Sequence, residues 1–99
     1  MKHKSKKYDG YFDFIFLDGP KGQYIHYLPC LTELLSDGGV IVADNVLFQG
    51  LVESKEPIPH NKRTIVNNLR KYLDRVSQYP YETEIMHVED GIAITKVKE

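Results

Sequence analysis

Two short apolar runs, each cut off by a carboxylate, constrain this chain more than any other feature. In residues 12–24, FDFIFLDGPKGQY, the run Phe14-Ile15-Phe16-Leu17 ends at Asp18, with Lys21 three positions on. In residues 38–50, GGVIVADNVLFQG, the run Val40-Ile41-Val42-Ala43 ends at Asp44-Asn45. Apolar runs of this length, bounded by glycine and turn formers, read as strands buried on both faces, the habit of parallel sheets. Parallel neighbours lie about 5 Å apart. Their carboxyl ends would bring Asp18, Asp44 and Asn45 to one point on the sheet edge, where open α/β sheets bind ligands.

The rest of the chain supplies the elements such a sheet needs. Tyr24, Tyr27, Leu28, Leu31, Leu34 and Leu35 recur at helical spacing and form one stripe. Pro29 falls inside that stretch, where a kink or a fresh helical start is expected. Asp37-Gly38-Gly39 is expected to end the helix. Residues 46–61 show no period and contain Gly50, Pro57 and Pro59. Leaving directly from Asp44-Asn45, this stretch reads as a lid or substrate loop, with a plain mobile surface loop as the alternative. A second helix is expected over about 62–77, with Ile65, Leu69, Tyr72, Leu73 and Val76 inward. Strands over 82–88 and 92–97 flank Asp90-Gly91, a strong hairpin signal. The order is β-α-β-loop-α-β-β, with right-handed parallel crossovers and one antiparallel strand in the final hairpin. Residues 1–10 form a separate basic segment, and residues 11–99 a single small α/β domain.

Composition narrows the function classes. With 99 residues, 41% hydrophobic and 27% charged, the chain fits one globular domain. A net charge of −1 carries no whole-chain argument for nucleic acid or a membrane surface. No apolar run approaches the roughly 20 residues of a bilayer span, and Asp9, Asp13 and Asp18 break any signal-like h-region. The single cysteine, Cys30, excludes an internal disulfide and suits a reducing, cytoplasmic setting. It reads as a packed core thiol. The four histidines, His3, His26, His60 and His87, have no zinc spacing. There is no G-x-S-x-G elbow and no glycine-rich phosphate loop.

The remaining chemistry is that of the two acid-tipped strands. Two carboxylates and an amide oxygen are hard ligands, suited to Mg²⁺, Mn²⁺ or Ca²⁺, and they leave room for water and substrate. A cation in such an open site would activate a substrate hydroxyl, with Lys21 near enough to take the proton. The plainer reading is that Asp and Asn after a strand are turn formers or helix caps.

Residues 14–24, FIFLDGPKGQY, residues 38–46, GGVIVADNV, and residues 90–94, DGIAI, together resemble the cation-dependent O-methyltransferases. That family includes caffeoyl-CoA and catechol enzymes and bacterial tRNA 5-hydroxyuridine methyltransferases; the final hairpin is closest to the bacterial members. The resemblance covers about residues 10–98 but only the carboxyl-terminal half of the family's Rossmann-like, doubly wound sheet. It implies that Asp18, Asp44 and Asn45 hold the metal and that Lys21 is the base. It further implies that Asp18 and Tyr27 lie on the S-adenosylmethionine side and Gln49 on the substrate side. Pro20 replaces an acidic or small residue of many members, and the family's cofactor loop and ribose-binding acid have no counterpart here. The acceptor it implies is a hydroxylated tRNA uridine or a catechol-like small molecule. Lys62, Arg63, Arg70, Lys71 and Arg75, with the lysine-rich start, tilt toward RNA, and a solvated helix face explains them nearly as well. A second expectation is a non-catalytic half-domain that needs a complementary segment or self-associates through residues 13–17, an exposed apolar edge.

Overall fold

The computed structural model describes residues 11–98, so the basic segment 1–10 lies outside the described residues. Its elements are β1 (Phe12–Leu17), α1 (Tyr24–Leu34), β2 (Leu35–Asp44), α2 (Arg63–Val76), β3 (Tyr81–Met86) and β4 (Ile92–Val97). A single 3₁₀ turn precedes each helix, at Lys21–Gln23 and His60–Lys62. The four strands form one sheet in the order β1-β2-β4-β3, with β1 parallel to β2 and β4 antiparallel to both its neighbours. No helix among the described residues is long and apolar enough to cross a membrane.

The connections explain which face is covered. Both β-α-β crossovers, β1 to β2 and β2 to β3, move in the same direction along the sheet. Right-handed crossovers that move the same way place their helices on the same side. On that side the sheet rows are Ile15-Ile41-Thr95-Thr83 and Leu17-Ala43-Ala93-Ile85. They pack with Tyr24 and Leu28 of α1 and with Val66, Leu69, Tyr72 and Val76 of α2 into one core. Val66 is a core residue in place of the expected Ile65, which is only half-buried.

The opposite face departs from expectation. Its rows are Phe14-Val40-Lys96-Glu82 and Phe16-Val42-Ile94-Glu84. Phe14 and Phe16 are 59% and 53% exposed, so β1 is buried on one face only. The apolar run was legible, but the helices that would cover its second face would have to come from crossovers leaving β1 in the other direction.

Three further expectations are corrected. The helix ends at Leu34, ahead of Asp37-Gly38-Gly39, and Leu35 and Ser36 already belong to β2, where Ser36 turns its hydroxyl to the Phe12 carbonyl and the Asp13 carboxylate. Gly39 lies so close to the Asp13 carbonyl that a Cβ would sit 2.9 Å from it. The helix α1 runs through Pro29 without a break in its span. Cys30 is exposed on its outer side rather than packed in the core.

Residues 46–59 are anchored to the core and to α2. Val46, Leu47 and Val52 are buried in the core. Arg70, reaching from α2, donates to the carbonyls of Val52 (3.0 Å), Ser54 (3.2 Å) and Leu51 (3.3 Å), and Arg63 donates to Ile58 (3.2 Å). With backbone bonds of its own from Val46, Leu47, Leu51, Val52 and Ser54, the loop is further held by the Arg70 fork and by Arg63. Replacing Arg70 with alanine is expected to cost about 2 kcal/mol in urea unfolding and to speed proteolysis within residues 53–59. Arg70→Lys, a point charge without the fork, should recover only part of that loss.

Two buried tyrosines join the helices to the sheet. Tyr24 and Tyr72 meet edge to face with centroids 5.7 Å apart. Tyr24 donates to the Asp44 carbonyl at 2.9 Å and shares its proton with the Leu17 carbonyl at 3.3 Å. The Tyr72 hydroxyl is buried near Thr95, whose own hydroxyl bonds to Thr83 at 2.8 Å, and has no hydrogen-bond partner within bonding geometry. Burial raises both phenols above their ordinary value of 10.0; the Gly19 backbone partly offsets this for Tyr24, and Thr95 for Tyr72. The unfolded chain therefore loses these protons first. Stability is held below pH 10 and falls as pH rises beyond it. In alkaline denaturation, Tyr24→Phe combined with Tyr72→Phe should flatten that fall. Tyr72→Phe alone should leave neutral-pH stability unchanged or raised by about 1 kcal/mol, since it removes a buried hydroxyl without a partner.

Candidate active site

The register places the two acidic tips side by side. Leu17 pairs with Ala43, so Asp18 and Asp44 leave the same edge of the sheet as the next residues on adjacent parallel strands. Tyr24 fixes this arrangement from below, because its hydroxyl bridges the last carbonyls of both strands. Its side chain is fully buried, and it is the first residue of α1, so the helix start is tied to the site.

Around that edge the side chains divide into two groups. Asp18 is half exposed and forms an ion pair with Lys21 at 3.8 Å, which sits on the 3₁₀ turn that follows. Asp44 and Asn45, with Glu89, Asp90 and Ile92, line an open cleft of about 410 Å³. Asp44 Oδ1 accepts the backbone N–H of Asn45 at 2.9 Å, a local turn bond that the left-handed Asn45 (φ +59°) permits. Asn45 Nδ2 donates to Asp90 Oδ2 at 3.0 Å. The turn-former reading of Asp44-Asn45 is therefore correct as far as it goes, and the same residues still present oxygen atoms to the cleft.

The donor set fits a hard cation. Only the NH₂ of an amide can donate to a carboxylate, so the bond to Asp90 leaves Asn45 Oδ1 as an acceptor. With Asp44 Oδ2, and with the Asp18 carboxylate at the neighbouring strand end, this edge offers two carboxylates and one amide oxygen, the ligand types that Mg²⁺ and Ca²⁺ take. Among the described residues no three His, Cys, Asp or Glu side chains form a metal-holding group, so any cation here depends on the amide.

The other expected site residues lie outside this cleft. Tyr27 is 40% exposed on α1. Gln49 is exposed in a run of three left-handed residues, Phe48, Gln49 and Gly50 (φ +48°, +58° and +81°), beyond the end of β2. The basic residues of α2 are mostly engaged by the protein itself. Lys62 lies over the Phe48 ring at 5.9 Å, Arg75 over the Tyr81 ring at 4.9 Å, and Arg63 and Arg70 hold the loop.

Sequence reasoning missed Asp90 and the bridging role of Tyr24. Asp90 was legible only as half of a hairpin signal. Its partner is 45 positions away, and the fold alone brings them together: Val46 N–H bonds to the Gly91 carbonyl at 3.2 Å and Leu47 N–H to the Asp90 carbonyl at 2.8 Å. Five residues, 87–91, connect β3 and β4, against the three left by the expected strands 82–88 and 92–97.

Comparison with known proteins agrees with this architecture. The sequence profile described as O-methyltransferase matches residues 1–98. Caffeoyl-CoA O-methyltransferase 2 of Populus trichocarpa is 37% identical over 95 residues, which are 91% of this chain and 38% of that protein. Among solved structures, the SAH-bound methyltransferase PaMTH1 of Podospora anserina superposes with a TM-score of 0.73 at 27% identity, covering 91% of this chain and 43% of that one. The O-methyltransferase of Bacillus cereus in complex with SAH gives 0.72 at 25% identity, covering 94% and 43%. The chain thus spans about two fifths of the length of the relatives it matches. The sheet is the carboxyl-terminal part of a Rossmann-like methyltransferase fold, and the chain belongs to the O-methyltransferase family.

Proposed function

We propose that this chain carries the metal corner of a divalent-cation-dependent O-methyltransferase. Its reaction moves the methyl group of S-adenosylmethionine to an aromatic hydroxyl. The observation that carries this reading is the juxtaposition of Asp18 with Asp44-Asn45 at one sheet edge, with Lys21 3.8 Å from Asp18. Asp18, Asp44 and Asn45 would hold Mg²⁺, Mn²⁺ or Ca²⁺. A cation held there lowers the pKa of an acceptor hydroxyl and neutralises the charge that develops on its oxygen.

The residues of this chain supply the remaining work. Lys21 takes the hydroxyl proton, and the oxygen then forms its bond to the methyl carbon as the carbon–sulfur bond breaks in line with it. Tyr24 holds the two strand ends at fixed separation. Tyr27 and Gln49 are assigned to the methyl-donor side and the acceptor side, each on an exposed surface beyond the strand ends. A small hydroxylated aromatic, of the caffeoyl type for which the poplar relative is named, is favoured over a tRNA uridine. Four of the five basic residues of the α2 segment also contact the protein's own carbonyls and rings, so their presence is accounted for without RNA.

The test uses the chain joined to the amino-terminal remainder of a methyltransferase domain. Methyl transfer to caffeoyl-CoA should stop on adding EDTA and return with Mg²⁺. Asp44→Ala should lower kcat/KM by more than about 100-fold, beyond what loss of a supporting residue costs. Full activity in EDTA would overturn the metal mechanism.

A second reading is favoured by the open face: this chain acts as one half of a domain. Phe12, Phe14 and Phe16 are all about half exposed. With Ile15, Leu31 and Leu34, Phe12 and Phe14 line an apolar groove of about 240 Å³ between β1 and α1. More than half of each relative's length has no counterpart in this chain. The occupant we assign to the groove is therefore the remainder of such a domain, in the same polypeptide or another, adding a strand beside β1 and helices over the phenylalanines. Sedimentation of the 99-residue chain with a relative's amino-terminal half should show a one-to-one complex that Phe14→Lys with Phe16→Glu abolishes. Pairing of two copies through residues 13–17 would appear as a homodimer instead. A chain that stays strictly monomeric at high concentration and ignores the half-domain would refute both.

A further inference from the structure

Asp90 lies across the cleft from the two acid-tipped strands, and nothing in the proposed chemistry uses it. Its carboxylate accepts Asn45 Nδ2 at 3.0 Å. Two backbone bonds run beside that contact, Val46 N–H to the Gly91 carbonyl and Leu47 N–H to the Asp90 carbonyl, at 3.2 and 2.8 Å. The turn before β4 is thereby docked along the turn after β2. Gly91 makes this docking close: it takes φ +91°, and a Cβ at that position would run into the Leu47 side chain. Glycine is needed here on both counts.

The chemistry of the pair is directional. An amide can turn either its oxygen or its nitrogen toward a neighbour, at little cost in shape. A carboxylate accepts and does not donate, so Asp90 selects the rotamer in which the NH₂ faces it. The amide oxygen is then turned away from Asp90. Asn45 is also left-handed at φ +59°, so backbone and side chain are fixed together. A ligating amide whose other end is held by a carboxylate is the pattern by which outer residues orient ligands at metal sites.

We infer that Asp90 is a positioning residue. It locks the Asn45 amide with its oxygen presented to the cation corner, and so couples the β3–β4 hairpin to the affinity of the site. The inference rests on the reading of Asp18, Asp44 and Asn45 as cation ligands, and its test separates the two.

The measurements use the chain in the same completed domain, with Mn²⁺ as the probe. Asp90→Ala should weaken Mn²⁺ binding by about 10- to 100-fold, whereas Asp90→Asn, which keeps an acceptor oxygen, should lose less. In a double-mutant cycle, Asp90→Ala should cost little more once Asn45 is alanine, because Asp90 acts only through that amide. The metal-free readout is the Asn45 side-chain NH₂ signal in NMR. It should be a single slowly exchanging pair in the parent chain and become averaged in Asp90→Ala, while circular dichroism remains unchanged. An Asn45 amide that is equally locked in Asp90→Ala, or fully additive losses in Mn²⁺ affinity, would overturn the positioning role. If Asp90→Ala does not fold, the cycle and the amide signal are read in Asp90→Leu, which keeps most of the shape and removes both acceptor oxygens. A parent chain that binds no Mn²⁺ but loses its locked amide on mutation would remove the metal reading and leave the positioning role standing.

Discussion

The hydroxyl of Tyr24 is a small group on which much of this structure depends. One proton is shared between the last carbonyl of β2 and the last carbonyl of β1, from a side chain that is itself fully buried. A buried carbonyl left unpaired is costly, so the arrangement holds both strand ends at a set distance from the first turn of α1. The acidic residues follow immediately. Their placement is then a consequence of the backbone pairing beneath them, and a loop or cap need not hold them in position.

What was legible in the sequence follows from the same physics. Apolar runs ending in aspartate signalled parallel strands and a shared edge, and the register of Leu17 with Ala43 is what that pattern implies. The amphipathic spacing of α2 located its inner face to within one residue. The features that escaped were those set by tertiary geometry. Cys30 sits on a helical turn whose direction depends on where Tyr24 and Leu28 are anchored, and it is exposed. Residues 46–59 lack any period because their anchors are distant in sequence: Arg70 donates to carbonyls 16 to 19 positions away, and Val46 and Leu47 bond to the turn before β4. The partnership of Asn45 with Asp90 spans 45 positions and leaves no local trace.

The arginines also have a role that composition does not show. The guanidinium groups of Arg63 and Arg70 donate hydrogen bonds to a loop that brings Val46, Leu47 and Val52 into the core. A planar fork such as that of Arg70 suits this role better than an ammonium group does. The net effect is to hold the segment that follows Asn45.

The handedness of the crossovers connects the site to the open face. Because both helices must lie on one side, the side bearing Phe14 and Phe16 is left to elements that would leave β1 in the other direction. In an open α/β sheet the ligand crevice forms where that direction reverses, at the switch point of the strand order. With β1 at the edge, such a point would lie beside β1, at the tip that carries Asp18. The chain thus builds one wall of a crevice to completion: strand ends joined through Tyr24, carboxylates aligned by register, and Asn45 held from across the cleft. The opposite wall would be contributed by whatever strand pairs with β1. The apolar surface and the exposed Asp18 carboxylate are therefore two views of one boundary, and covering the first is the step that would enclose the second.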